Sequence, residues 1–237
     1  MDDMRSDLDF PALSAVLREE LGIMGSPVAI RLAGSKTEIP PGMEEIDSQV
    51  RHCQMVSMAR NEGKCFYATV DKHSCMGGAW ALGLRELTPS LRSGEFYYAL
   101  GKFGSRAACR RTIDRIPHLP SNETYATLYA PLESTPFSPH VVLLVAEPLA
   151  MLKVAQSILY RLGGRIQAEM SGIQSVCADT TAFVYLHGQP NVSLGCDGSR
   201  KFSGIQNGEM VLGLPGELLP EIAAALPVVT GAKGSKK

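Results

Sequence analysis

The sequence predicts a single α+β domain in which helices flank a mixed β-sheet. The chain of 237 residues is long enough to bury a sizeable core, and its 45% hydrophobic and 20% charged residues are ordinary values for a globular protein. Helical and strand patterns alternate too irregularly for a doubly wound parallel fold. We therefore assign residues 1–230 to one domain and the small, basic residues 231–237 to a disordered tail.

Hydrophobic periodicity, capping residues and glycines predict the helices. Asp47 and Ser74 are the predicted N-caps of two of them, because their side chains can accept a hydrogen bond from a free backbone N–H group. Gly63 is placed to end the helix that Asp47 begins, and Gly22 to end the helix at residues 8–22, each in the left-handed conformation. The predicted helices span residues 8–22, 47–61, 73–87, 105–116, 148–164, 175–188 and 216–226.

Alternating or continuous apolar runs predict the strands. The two clearest are TYATLYAPL and HVVLLVAEP, and the stretch CDGSRKF after the run NVSLG is predicted as a tight turn or a short helix. The predicted strands span residues 26–34, 64–71, 96–100, 124–132, 140–148, 191–195 and 209–215.

Charge and hydropathy exclude several classes of function. The net charge of −1 gives no electrostatic reason to expect a nucleic acid or an anionic membrane as partner. No apolar run reaches the roughly 18 residues of a membrane span, and the acidic N-terminus lacks the apolar core of a signal peptide. We expect a cytoplasmic protein. The sequence is also compatible with a homo-oligomer. Four arginines on one predicted helix are interpreted as a solvated face: Arg106, Arg110, Arg111 and Arg115.

Cysteines carry the main chemical signal. A cytoplasmic compartment is reducing, so the six cysteines are not expected to form disulfides. They form no C-x-x-C pair, which excludes zinc ribbons, thioredoxin motifs and ferredoxin runs. Cys75, Cys177 and Cys196 each lie where a loop or strand turns into a predicted helix, whereas Cys53 lies within one. Cys65 and Cys109 are interpreted as inert core residues.

Glycines surround these cysteines in a way that suits an anionic ligand. Free N–H groups at a helix start stabilise a thiolate, which is the form that binds metals and attacks electrophiles. Glycines let the backbone approach such a ligand closely, and an iron–sulfur cluster with thiolate ligands is an anion. Arg200 would offset its charge, and the glycines that would admit it are Gly77, Gly78, Gly195 and Gly198.

Three segments together resemble an uncharacterised family of archaeal and bacterial proteins, the domain-of-unknown-function family 169. They are RHCQMVSMAR, DKHSCMGGAWALGL and NVSLGCDGSRKFSGIQNGEMVLGLPG, and the likeness extends over about residues 10–226. Cys177 is similar to a cysteine found in many members. No activity comes with the resemblance. The motif positions of the family fall on Cys53, His73, Cys75, Gly78, Gly195, Cys196, Gly198 and Arg200.

The sequence leaves three functions open, and it does not establish whether the protein is an enzyme. The first is an iron–sulfur protein, of the four-iron type, in redox or anaerobic metabolism, with Cys53, Cys75 and Cys196 as ligands and Cys177 or an external group as the fourth. The second is a metal-free thiol enzyme with Cys75 or Cys196 as nucleophile and His73 as base. The third is a non-catalytic binder of a small molecule or cofactor. The expected partner is a small molecule or a redox protein.

Overall fold

A six-stranded β-sheet forms the centre of the structure, a computed structural model that describes residues 8–231. The strand order is β2-β3-β1-β4-β6-β5, and every neighbouring pair of these strands is antiparallel. Of the predicted tail, only Gly231 is described, and it ends the last helix; the first seven residues also lie outside the described range. The strands are β1 (Val28–Ala33), β2 (Phe66–Thr69), β3 (Ala126–Pro131), β4 (Val141–Ala146), β5 (Asn191–Ser193) and β6 (Met210–Pro215).

Helices cover both faces of this sheet, so the predicted α+β class is confirmed. Parallel pairing within residues 8–231 is confined to two isolated bridges, which join Glu45 to Tyr67 and Val50 to His73. No helix in this range is long and apolar enough to cross a membrane. The helices are α1 (Phe10–Leu21), α2 (His52–Glu62), α3 (Met76–Ala81), α4 (Pro89–Arg92), α5 (Glu95–Ala99), α6 (Arg106–Ile113), α7 (Pro148–Leu159), α8 (Phe183–His187), α9 (Asp197–Ser203) and α10 (Leu219–Gly231), with a π-helix at Ser175–Ala182.

Alternating side chains divide the interior into two cores, one on each face of the sheet. In β1, Val28 and Ile30 face the core that contains α2, α3, α6 and the π-helix, whereas Ala29 and Ala33 face the core under α1, α7 and α10. This is the period of two expected of a strand. All six residues of β3 and of β4 are buried, because each of these strands has helices on both sides.

Two helices begin later than the sequence predicts. Helix α2 begins at His52 instead of following Asp47, since the Val50 N–H donates to the Lys72 carbonyl and holds the preceding residues extended. Cys75 replaces Ser74 as the N-cap of α3, because the Ser74 N–H donates to the Val50 carbonyl. The prediction of Asp47 and Ser74 as caps is therefore wrong, and its cause is a tertiary pairing that capping preferences do not reveal.

The stretch FYYAL is helix α5, so the prediction of a strand at 96–100 is wrong. Its aromatic residues favour strands in isolation, but strand preference depends strongly on context. Gly94 begins the helix with a φ of 79°, and a Cβ atom there would stand 2.7 Å from the carbonyl oxygen of Arg106 on α6. Close packing on α6 therefore determines the local structure. Helix α3 also ends earlier than predicted, near Gly83, where φ is 75°.

The π-helix packs directly on strand β6 through a position that has no side chain. A Cβ atom at Gly213 would stand 2.1 Å from the carbonyl oxygen of Thr180 and 2.8 Å from Cγ2 of Val184. Both atoms belong to the helical segment that the sequence predicts at 175–188. Gly213 therefore sets how closely this segment, which carries Cys177, approaches the sheet.

Replacing Gly213 with alanine should destabilise the protein by about 1–3 kcal/mol, because the added methyl group must displace backbone atoms in a packed core. Urea unfolding followed by circular dichroism measures this loss. The matched control is Gly104→Ala, at an exposed position where an added Cβ has no neighbour within 4 Å. Equal stability of the two variants would contradict the close approach of the π-helix to β6 at Gly213.

Helix α1 is fastened to the end of β3 by the carboxylate of Glu133. Ser14 of α1 donates to it over 2.9 Å, Ser26 donates to its other oxygen, and Arg18 lies 3.8 Å from it. Burial acts to raise the pKa of Glu133, but the two hydroxyl hydrogen bonds and the Arg18 charge outweigh it and hold the pKa below its ordinary value. The ionised carboxylate is thus the form that the fold favours.

This contact should disappear in acid. Because the folded-state pKa of Glu133 is lowered, its stabilisation is complete above the unfolded-state pKa and is lost as the pH falls through the folded-state pKa. Glu133→Gln should be less stable than the parent by about 1 kcal/mol near neutral pH, a value already reduced by solvent screening. Urea unfolding of both proteins from about pH 7 to about pH 3 should show the difference shrinking. If the difference in unfolding free energy between the two proteins stayed constant over this pH range, the proposed titration of Glu133 would be excluded.

Candidate functional site

Cys53 and Cys75 are brought side by side by the bridge between Val50 and His73. The Val50 N–H donates to the Lys72 carbonyl and the Ser74 N–H donates to the Val50 carbonyl, each over 3.0 Å. The chain therefore enters α2 and α3 from neighbouring, parallel segments. Cys53 is the second residue of α2, and Cys75 is the N-cap of α3. Two thiols that lie 22 residues apart in sequence thus occupy adjacent helix starts.

Cys196 joins them from a third helix start. It is the N-cap of α9, and its sulfur accepts a hydrogen bond of 3.4 Å from the Ser199 N–H. Cys75 accepts an equivalent bond of 3.4 Å from the Gly78 N–H. Helix α9 packs on α2, where the guanidinium carbon of Arg51 lies 3.8 Å from the centre of the Phe202 ring. The two sulfurs therefore occupy equivalent capping positions.

Cys177 completes the group from the π-helix. It is the third residue of that helix, and 8% of its surface is exposed. A Cβ atom at Gly78 would stand 3.6 Å from both the Cys177 sulfur and the Cys75 Cβ. A Cβ there would be in ordinary contact with both residues, so Cys75 and Cys177 are neighbours on either side of Gly78.

The four thiols affect one another electrostatically. Burial and, after it, the charges of Cys196 and Cys75 raise the pKa of Cys53 to about 12, while the charge of Arg51 opposes them. Burial also raises the pKa of Cys177, with additional repulsion from Cys75, Cys196 and Cys53. These repulsions indicate that the four sulfurs lie near one another, and we call the region around them the cysteine pocket. Without a cation, Cys53 and Cys177 are thiols rather than thiolates at neutral pH.

Tyr97 and Gln174 form part of the wall of the cysteine pocket, and sequence reasoning missed both. Atoms of both lie around Gly77, where a Cβ would stand 2.7 Å from Nε2 of Gln174 and 3.5 Å from the Tyr97 hydroxyl. Burial raises the pKa of Tyr97, and the charges of Cys75 and Cys177 act in the same direction. Gln174 is 3% exposed and has a left-handed backbone, with φ at 52°, just before the π-helix.

Buried polar atoms without a partner cluster beside two of these cysteines. Within residues 8–231, such side-chain atoms belong to two segments only, one before Cys75 and one before Cys177. Buried polar groups normally find a hydrogen-bond partner, so a cluster of exceptions indicates a place where a bound group or water supplies it. The atoms are His73 Nδ1, Ser74 Oγ, Gln174 Nε2, Gln174 Oε1 and Ser175 Oγ.

Comparison with known proteins identifies the family. The profile of the DUF169 family, described as uncharacterised ArCR, matches residues 16–225. An uncharacterised protein of Methanocaldococcus jannaschii is 49% identical over 209 residues, which cover 87% of this chain and 89% of that protein. The chain belongs to the DUF169 family. The resemblance noted in the sequence is thereby confirmed, and no solved structure matches the chain.

The cysteine spacing in this DUF169 protein differs from that of a single-ion site. Within the described range, no three His, Cys, Asp or Glu side chains stand close enough to hold a metal ion. Thiolates on one tetrahedral zinc ion stand about 3.8 Å apart, as zinc–sulfur bonds of about 2.3 Å require. Each thiolate of a four-iron cluster binds its own iron atom, so its ligands stand further apart. The described thiols therefore do not match a single tetrahedral ion, and whether they hold a multi-iron cluster stays a prediction.

Two arginines, Arg200 and Arg51, lie close in sequence to pocket cysteines, and whether Arg200 offsets the charge of a ligand stays a prediction. The Arg200 guanidinium donates to the backbone carbonyls of Leu194, Gln206 and Glu209, and so fixes the loops on either side of α9. Arg51 is the cation whose charge acts on Cys53. Its position two residues before Cys53, at the N-cap of α2, was the available signal.

The remaining predicted glycines have distinct local roles in this protein. Gly195 has a φ of 81°, which favours glycine, and it turns the chain into α9 just before Cys196. A Cβ atom at Gly198 would lie 3.8 Å from the Cys196 sulfur, in ordinary contact. Gly77 and Gly78 leave room for side chains of the π-helix segment. Whether these four glycines contact a ligand stays a prediction.

The two histidines near the pocket are buried and face the sheet. His52 bonds Tyr129 over 2.7 Å and Thr181 over 3.0 Å, and His73 bonds Thr127 over 3.0 Å. Burial lowers the pKa of His52 to about 3 and that of His73 to about 4, so both are neutral near pH 7. Among the residues that the structure describes, neither ring is hydrogen-bonded to a thiol.

Thiol cross-linking should report the shared pocket without any metal. Dibromobimane bridges two neighbouring sulfurs, so peptide mapping of the treated metal-free protein should find links among Cys53, Cys75, Cys177 and Cys196. Two cysteines provide internal controls and should carry no such link: Cys65, which is exposed just before β2, and Cys109, which is buried in α6. Cross-links involving these two at a comparable yield would contradict the arrangement.

Proposed function

We propose that this DUF169 protein binds a four-iron iron–sulfur cluster through Cys53, Cys75, Cys177 and Cys196. The observation that supports this most strongly is the meeting of four thiols from four separate helix starts in one pocket. The thiols are free, and buried polar atoms without partners belong to the residues just before Cys75 and a few residues before Cys177. The proposal matches the function expected from the sequence, including a role in redox or anaerobic metabolism.

The surroundings of the sulfurs suit a negatively charged cluster. The Gly78 and Ser199 N–H groups already donate to Cys75 and Cys196, and such bonds stabilise thiolate ligands and tune a cluster's potential. The Arg51 guanidinium adds a positive charge near Cys53. Together these groups would offset the negative charge that a thiolate-ligated cluster brings into a partly buried pocket.

The fourth ligand position decides which chemistry is available. Cys53, Cys75 and Cys196 are half-buried, whereas Cys177 is buried. If Cys177 does not bind iron, the cluster supplies a Lewis acid or a sulfur-transfer site at the open iron. Gln174 and Tyr97 would then orient a polar group of the substrate, because both lie beside the pocket cysteines. If Cys177 binds, electron exchange with a redox partner is the favoured role.

A metal-free thiol enzyme is the second candidate. It is favoured by the capping sulfurs of Cys75 and Cys196, which accept N–H hydrogen bonds as activated thiolates do. Its predicted base is less well placed, because the ring of His73 bonds Thr127 in the sheet and not a thiol. Iodoacetamide labelling near neutral pH separates the candidates: one thiol that reacts far faster than the others supports the enzyme.

Iron binding should depend on the pocket cysteines. Protein purified without oxygen from iron-replete cells should be brown and contain about four irons and about four sulfides per chain. Cys53→Ala, Cys75→Ala or Cys196→Ala should abolish or strongly reduce the visible absorption and the iron content, since each removes a ligand. Cys177→Ala distinguishes the two ligand sets, because only a four-cysteine set loses iron.

Cys65→Ala is the matched control, since it removes an exposed thiol outside the pocket, and it should retain iron and colour. Circular dichroism of each variant separates loss of a ligand from loss of the fold. Colourless, iron-free parent protein after anaerobic reconstitution with iron and sulfide would overturn the proposal. Retention of the full iron content by all of the pocket variants would do the same.

A further inference from the structure

A second cavity lies between α6 and residues 168–171, and no cysteine lines it. Its volume is about 820 Å³, within the range of about 300–1,000 Å³ that is usual for small-molecule sites. Phe103, Ile116 and Phe183 supply apolar surface, and Arg111 and Arg115 line the same cavity. Polar or charged residues make up about half of the lining, so an occupant must carry polar as well as apolar groups.

The arginines of α6 and the turn that follows it fall into two classes. Arg106 forms an ion pair with Glu95, and Arg110 lies 3.9 Å from Asp114. In contrast, the guanidinium groups of Arg111 and Arg115 make no ion pair or hydrogen bond within residues 8–231. Positions four apart lie on the same side of a helical turn, so both unpaired cations face the cavity. The sequence-based interpretation of all four as one solvated face overlooked this division.

The wall opposite α6 is preformed. Asn191 is fully buried at the start of β5, and its side chain bonds both the N–H and the carbonyl of Glu169 and the carbonyl of Asp179. Asp179 lines the cavity, is 2% exposed and accepts a hydrogen bond of 3.0 Å from Ser193. Glu169 lines the cavity as well but forms no ion pair with either arginine. One buried amide therefore fastens the outer wall to the π-helix.

We propose that this cavity binds an organic anion, a carboxylate or a phosphate monoester, that carries an apolar body. Guanidinium groups bind planar carboxylates and phosphates through paired N–H bonds, and two adjacent ones provide more donors than one anionic group requires. The apolar body would lie against Phe103 and Phe183. This proposal does not depend on the iron–sulfur cluster, because the lining contains none of its ligands.

Isothermal titration of the full chain with three small probes tests the proposal. Phenyl phosphate and phenylacetate are the two anions, and benzyl alcohol is their neutral counterpart. At least one anion should bind with millimolar affinity, as expected for a ligand of this size, and benzyl alcohol should bind at least about tenfold more weakly. Which anion binds more tightly distinguishes a phosphate site from a carboxylate site.

The double variant Arg111→Ala with Arg115→Ala should weaken anion binding by at least about tenfold, because it removes charge-assisted hydrogen bonds. The matched control, Arg106→Ala with Arg110→Ala, removes the same charge from the same helix and should change affinity by less than about twofold. All four side chains are exposed, so the fold should be preserved. Failure of both anions to bind, equal binding of benzyl alcohol, or equal losses in the two double variants would overturn the proposal.

Discussion

The extended pairing of residue 50 with residues 72–74 is the constraint on which the cysteine pocket depends. It takes few hydrogen bonds, yet it makes the chain enter α2 and α3 from parallel neighbouring segments. Without it, Cys53 and Cys75 would begin helices with no fixed relation. The other two thiols are added by packing: α9 lies on α2, and the π-helix meets α3 at Gly78. Dispersed cysteines thus form one group through backbone geometry.

The sequence predicts much of this fold because most of its elements follow local rules. Gly22 and Gly63 end helices in the left-handed conformation where expected, and the apolar runs at 124–132 and 140–148 form β3 and β4, two interior strands of the sheet. The failures at Asp47 and at FYYAL share a cause. In each, a contact with a segment distant along the chain overrides the local preference, and no single window of sequence contains that contact.

The residues of the candidate site also fall into two groups, those with a local sequence signature and those that only tertiary packing brings to the site. The cysteines and glycines at helix starts have a local signature, so residue pattern alone is enough to single them out. Gln174 and Tyr97 have no such signature, since their part in the site arises only when the π-helix and α5 are brought together with α3. Arg200 shows in addition that a motif position can act on the backbone around a site.

The hydrogen bonds of Arg200 to the backbone affect how far the amino-acid sequence around α9 can change during evolution. Its guanidinium recognises three carbonyl oxygens, and carbonyl oxygens are the same whatever residue carries them. The side chains at 194, 206 and 209 can therefore change over evolutionary time while the turn into α9 and the position of Cys196 stay fixed. Because Arg200 holds the backbone around Cys196, the side chains at these three positions are not needed to fix the Cys196 thiol.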